Sequence, residues 1–278
     1  PTPAPGGAGP HPTRPPGAPT VGSAGHDNDT VLLNGGVNTL NAQAGADTVT
    51  VSLGQNSVDG GDGDDTLTVT GGTNTVTGGS GADTITASGG TNFIDGGAGN
   101  DSLTATFDSI TIAGGDGNDF IKVAQGTTSG VVGDSSIDGG AGNDSILGCL
   151  GNDYLLGGLG DDTLEGGLGR NTIDAGAGND IIYFDDQASI HGNTGVDTLR
   201  MFGANTDMMT ITSGSFTGIE FIDLETDTTN NQLTIGVDNV AQMGGNVTVI
   251  GNAGDEVTPL GGTWTPFGSV QQINGQNY

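Results

Sequence analysis

Gly60-Gly61-Asp62-Gly63-Asp64-Asp65-Thr66-Leu67-Thr68 is the stretch that decides the fold of this chain. Its glycines and Asp65 make a turn, because glycine reaches backbone angles closed to other residues and aspartate bonds nearby backbone. Thr66-Leu67-Thr68 then alternates polar and apolar, as a half-buried strand does. The pattern Gly-Gly-x-Gly-x-Asp-x-(apolar)-x returns with starts at Gly78, Gly96, Gly114, Gly139 and Gly157. Asp29, Asp47, Asp65, Asp83, Asp101 and Asp119 stand 18 residues apart. The unit is therefore an 18-residue coil of two nonamers. Midway between the aspartates, Asn38, Asn56, Asn74 and Asn92 keep the same step. One edge of the coil is an Asp edge. The other is an Asn edge, whose stacked amides can bond from coil to coil.

The spacing then shifts. Asp119 and Asp144 are 25 apart, which asks for a loop or bulge in Val123–Gly133. Asp144, Asp153, Asp162, Asn171 and Asp180 follow at nine-residue steps, so both edges now carry the motif. Asn171 replaces the aspartate beside Arg170, which predicts a weak or empty position. Asp197 follows after 17 residues. The core follows from the same spacing. Val31, Val49, Leu67, Ile85, Leu103, Ile121, Ile146, Leu164 and Ile182 form one inner wall. Leu40, Val58, Val76, Ile94, Ile112, Ile137 and Leu155 form the other. The fold class is all-β, a parallel β-roll or β-helix solenoid over residues 23–200.

Composition limits function. Gly is 56 of 278 residues and only 32% of the chain is hydrophobic, so a thin repetitive core must serve. Thirty-three acids face four cations, Arg14, Lys122, Arg170 and Arg200, for a net charge of −29. Such a charge argues against nucleic acid and anionic membranes as partners. Only Glu165, Glu220, Glu225 and Glu256 are glutamates, so the acids are turn formers rather than a general solvating surface. No run of 18 apolar residues suggests a membrane-spanning helix. Cys149 is alone, which leaves no disulfide and no cysteine-based metal site. His11, His26 and His191 are scattered, and no nucleophile elbow, zinc-protease helix or phosphate loop appears. The chain is therefore read as not an enzyme. Asp59, Asp95, Asp138 and Asp174, which precede the turn glycines, read as turn caps.

On the nonamers the chain resembles the RTX calcium-binding repeat family. A glycine turn offers backbone carbonyls and one carboxylate, the hard oxygen donors calcium prefers. The resemblance implies calcium ions held between successive turns of one edge. It implies Gly61, Gly63 and Asp65 working with Gly79, Gly81 and Asp83. The same pairing joins these to Gly97, Gly99 and Asp101, and then to Gly115, Gly117 and Asp119. Further on it joins Gly140, Gly142 and Asp144 with Gly158, Gly160 and Asp162, and these with Gly176, Gly178 and Asp180. Asp153 has only Asn171 as its partner. Export by the type I route as an unfolded chain, with folding on extracellular calcium, is implied too.

Residues 1–22 hold most of the ten prolines and read as a linker or an extended arm able to dock on a neighbouring copy. With no initiating Met at Pro1, the chain reads as processed or as a fragment. Residues 201–278 lose the repeat and read as a β-rich cap, with strands at 219–224, 232–235 and 246–250 and a short helical turn at Gly236–Met243. Thr217-Gly218-Ile219-Glu220, Asn230-Asn231-Gln232-Leu233-Thr234 and Gly261-Gly262-Thr263-Trp264 resemble the C-terminal part of large bacterial RTX surface adhesins. The expected role is a secreted extracellular or cell-surface protein that binds calcium and self-associates through its arm or roll ends. The product would be a fibre, surface layer or adhesive matrix. The alternative is the folding and export module of a secreted protease, lipase or epimerase.

Overall fold

A computed structural model describes residues 20–106, 110–124, 133–184, 188–200, 209–211, 216–224, 232–236, 247–250, 256–260, 272–273 and 276–277. All regular structure among them is β, and no helix there is long and apolar enough to cross a membrane. The chain divides into two compact units, Pro1–Asp138 and Gly139–Tyr278.

In the first unit each coil contributes two strands. The odd strands are β1 (Thr20–Gly25), β3 (Val37–Gln43), β5 (Gln55–Asp62), β7 (Thr73–Ser80), β9 (Thr91–Ala98) and β11 (Ile110–Asp116). The even strands are β2 (Thr30–Asn34), β4 (Thr48–Ser52), β6 (Thr66–Thr70), β8 (Thr84–Ser88), β10 (Ser102–Thr106) and β12 (Phe120–Ala124). Odd strands pair only with odd and even with even, all parallel. The register shifts by one coil, so Val49 faces Leu67, Leu67 faces Ile85, and Leu103 faces Ile121. Val58, Val76 and Ile94 align in the same way on the odd sheet. Leu67, Ile85, Leu103, Val76 and Ile94 are all fully buried. Both expected walls are therefore present. Thr66 and Thr70 point outward while Leu67 and Val69 point in, the two-residue alternation read from the sequence.

The turn at the Asn edge shows why glycine recurs there. Gly71 has φ +66°, and the same place one coil earlier is held by Leu53 at φ +60°. A left-handed leucine costs on the order of 1–2 kcal/mol. It is tolerated because Leu53 N–H donates to the Thr70 carbonyl at 2.7 Å and keeps the coils in register. The Asn amides stack as expected. Asn38 Nδ2 donates to Asn56 Oδ1 at 2.6 Å, Asn56 to Asn74 at 2.7 Å, and Asn74 to Asn92 at 2.7 Å. Ile110 takes the next place and ends the ladder.

β13 (Ser136–Ala141) spans the division between units. The second unit continues with β14 (Ser145–Leu147), β15 (Tyr154–Leu159), β16 (Thr163–Glu165), β17 (Thr172–Ala177), β18 (Ile181–Tyr183), β19 (Ser189–Thr194) and β20 (Thr198–Arg200). Ile146, Leu164, Ile182 and Leu199 align on its even sheet, and Leu155, Ile173 and Ile190 on its odd sheet.

Parallel stacking does not stop where the repeat stops. β22 (Phe216–Thr217) pairs with β19, and β23 (Phe221–Asp223) pairs with β20. β25 (Thr248–Ile250) pairs with β23, so Ile222 faces Leu199 and Val249 faces Ile222. β21 (Met209–Ile211), β24 (Gln232–Gly236) and β26 (Glu256–Leu260) form a further parallel sheet. β27 (Gln272–Ile273) and β28 (Gln276–Asn277) pair antiparallel. Of the strands expected at 219–224, 232–235 and 246–250, the structure has Phe221–Asp223, Gln232–Gly236 and Thr248–Ile250. Among the described residues strand pairing begins at Thr20, which faces Asn38, just before the expected start of the array. Residues 1–19, the interior of the expected 123–133 loop and residues 237–243 of the expected helical turn lie outside the described residues.

Candidate metal centre

The aspartates form a ladder along the edge that leads from odd to even strands. Asp47 N–H donates to Asp65 Oδ1 at 2.7 Å, and Asp65, Asp83 and Asp101 donate to Asp83, Asp101 and Asp119 at 2.8 Å each. In the second unit Asp144 donates to Asp162 and Asp162 to Asp180, both at 2.8 Å. Each expected pair of the two runs is thus a pair of adjacent coils.

One carboxylate oxygen is used by that bond. The other, Oδ2, is buried without a hydrogen-bond partner in Asp47, Asp65, Asp83, Asp101, Asp162, Asp180 and Asp197. None of these residues is more than 2% exposed. A buried carboxylate oxygen without a donor costs several kcal/mol unless a proton or a cation meets it. Burial, above all, pushes the carboxyls of Asp83 and Asp162 up to about 7 and that of Asp197 up to about 6. The backbone N–H from the preceding coil pulls each down, and neighbouring aspartates push each up. Asp47, Asp65, Asp101 and Asp180 are raised for the same first reason, burial.

The glycines bring further oxygens to this edge. Gly61 and Gly63 have φ +106° and +123°, and Gly79 and Gly81 repeat the pattern at +120° and +130°. The carbonyls of Gly61 and Gly63 are turned toward Gly79 and Gly81, so a Cβ on either later glycine would collide with them. Gly97 and Gly99, Gly115 and Gly117, Gly140 and Gly142, Gly158 and Gly160, and Gly176 and Gly178 share these positive angles. Over Gly60, the Asp65 carboxylate and the Gly78 carbonyl converge where a side chain would otherwise sit. Among the described residues, no three His, Cys, Asp or Glu side chains gather as a metal cluster. A cation here must be held by carbonyls and single carboxylates. That donor set fits calcium, which accepts six to eight oxygens in adaptable geometry, and not zinc or copper.

Asp153 lies on the opposite edge. Its N–H donates to Asn171 Oδ1 at 2.9 Å. Over Gly166 the Asn171 amide nitrogen holds the place that Asp162 Oδ2 holds over Gly157. A donor there repels a cation, which is the physical content of the weak position expected from Asn171.

Asp47, placed by the 18-residue spacing, and Asp197, 17 residues after Asp180, belong to the ladder although neither follows a Gly-Gly pair. Two other features were missed or misread in the sequence. Asn28, Asp64 and Asn100, each preceding a ladder aspartate, accept the N–H of Ala46, Ala82 and Asn118 at 2.8–2.9 Å. These side chains splice successive coils and run a second ladder beside the first. Asp59 does not cap a turn: its Oδ2 accepts from Asn41 Nδ2 at 2.8 Å. Asp174 likewise accepts from Asn193. Elsewhere, His191 is not free in solvent, since its Nδ1 lies 2.7 Å from Thr217 Oγ1. Burial pushes the Cys149 thiol up, which disfavours the thiolate.

Parallel coils whose glycine turns stack one buried carboxylate per coil define a β-roll with an edge suited to cations. The sequence profile of the RTX calcium-binding nonapeptide repeat matches residues 33–67, 68–103, 111–127, 129–164 and 156–188, together more than half of the chain. The chain belongs to that family, and the family binds calcium. RTX repeats mark calcium-binding proteins of the type I secretion substrate kind, which are generally secreted and take up calcium outside the cell. No curated protein matches the chain.

Proposed function

We propose that this chain is a secreted structural protein that folds on calcium outside the cell and assembles into an extracellular fibre, surface layer or adhesive matrix. The observation that carries the calcium step is the row of buried Oδ2 atoms without donors. Calcium supplies the missing partner of Asp65, Asp83, Asp101, Asp162 and Asp180. Its ligands are Asp65, Asp83, Asp101 and Asp119 with the carbonyls of the paired turn glycines in the first unit. In the second unit they are Asp144, Asp162 and Asp180 with theirs. Without the ion, adjacent carboxylates repel across each coil and the chain carries too little apolar surface to fold alone.

Assembly rests on a narrower observation. Among the described residues β1 pairs with β3 and with no other strand. Its other edge can accept a strand from a second copy, and the proline-rich arm is the segment proposed to dock there. Calcium titration by calorimetry tests the first step; several ions per chain are expected, and no uptake overturns it. Electron microscopy of the calcium-loaded protein tests the second. Fibres or sheets are expected, whereas a monodisperse monomer at all concentrations would favour an export module over an assembling protein.

A further inference from the structure

The carboxylate ladder outlasts the nonamers. Asp180 N–H donates to Asp197 Oδ1 at 3.0 Å, and Asp197 N–H donates to Glu220 Oε2 at 2.8 Å. Strand register fixes the equivalence: His191 faces Thr217 and Thr198 faces Phe221. Gly218 therefore stands where a nonamer has its first glycine, and Glu220 where it has its aspartate. In the nonamer that gap runs from Gly60 to Asp65, but here only Ile219 separates the two residues. The turn has been cut short. The longer glutamate side chain restores the carboxylate to its place in the ladder.

Asp197 is 0% exposed and its Oδ2 has no hydrogen-bond donor. That oxygen and the Gly218 carbonyl converge over Gly192, as Asp162 Oδ2 and the Ala175 carbonyl converge over Gly157. We propose that Asp197, the Gly218 carbonyl and Glu220 form a calcium site outside the nonamer repeats. It joins the last repeat coil to the first coil of the C-terminal segment. The proposal rests on the reading that calcium meets the buried ladder oxygens. The shortened turn lacks the second and third turn glycines, so the site offers fewer carbonyls and leaves more of the shell to water. It therefore binds more weakly than the nonamer sites. The coil it holds is packed closely. Ile219, Ile222 and Leu224 are fully buried, and the Phe216 ring stacks on Phe184 at 6.1 Å. As calcium falls, this coil detaches first and the nonamer coils hold.

The test uses the full chain with Asp197→Asn and Glu220→Gln, whose amide oxygens still accept the ladder N–H bonds. Equilibrium dialysis should find one calcium fewer per chain in each variant, with the β spectrum retained. Glu165→Gln, on an exposed strand position, should change nothing. Unchanged stoichiometry in a folded variant overturns the site. Hydrogen exchange on the wild-type chain across a calcium titration reads the same claim without substitution. Residues 216–224 should lose protection at a higher calcium concentration than residues 66–106. Simultaneous loss overturns it. A wild-type chain that takes up no calcium overturns both this site and the reading beneath it.

Discussion

At the scale of the residue, the ladder aspartate does two jobs with one carboxylate. Oδ1 takes the N–H of the previous coil, and Oδ2 is the oxygen proposed to meet an ion. Asp83→Asn separates them: the amide oxygen keeps the backbone bond, and the amide nitrogen turns a donor toward the ion, as Asn171 does on the other edge. The variant should bind one or two fewer calcium ions by calorimetry and lose about 1–3 kcal/mol of calcium-dependent stability. An unchanged ion count would contradict the assignment. The same residues set the pH response of the calcium-free chain. The folded carboxyls of Asp83 and Asp162 lie up at about 7, above the ordinary value of 3.8. The folded state therefore holds protons that the unfolded state releases. Stability from this source is full below the ordinary value and is lost as pH rises to about 7. In chelator, the β signal in circular dichroism should be larger at about pH 5 than at about pH 7.5, and the reverse order would contradict the burial of these groups.

At the scale of the element, identical spacing made most of the architecture legible. Leu67 and Val76 could be assigned to opposite walls because each recurs in register coil after coil, and both are fully buried. The ladder was legible for the same reason from Asp65 to Asp119. What escaped was anything that broke the period. Glu220 differs from Asp197 in residue type and turn length, so no motif pointed to it. Asn28, Asp64 and Asn100 escaped differently: a side chain bonding the backbone of the next coil leaves no local signature. Strand packing makes two predictions here. Leu103→Ala removes a fully buried wall residue and should cost about 2–5 kcal/mol of the calcium-loaded fold in thermal denaturation. Gly79→Ala places a Cβ against the Gly61 carbonyl at φ +120°. It should cost on the order of 1–3 kcal/mol and reduce calcium uptake, because the same carbonyl must move. Wild-type behaviour of Gly79→Ala would mean that the turn is not held as described.

At the scale of the whole molecule, the decisive quantity is charge. Four cations offset only four of the 33 acids, which leaves a net charge of −29. Arg200, bonded to Asp223 at 3.1 Å, forms an ion pair within the second unit. The rest of the neutralisation must come from solution, and the ladders place it along the coil edges. On the proposed function, folding, charge and location become one property. A chain that needs calcium to bury its carboxylates stays open where calcium is scarce and closes where it is plentiful. The most direct test is far-ultraviolet circular dichroism of the full chain at neutral pH, in calcium and after chelation. The account predicts a β spectrum in calcium that collapses to that of an unfolded chain with chelator and returns when calcium is restored. A β spectrum indifferent to the chelator would contradict it.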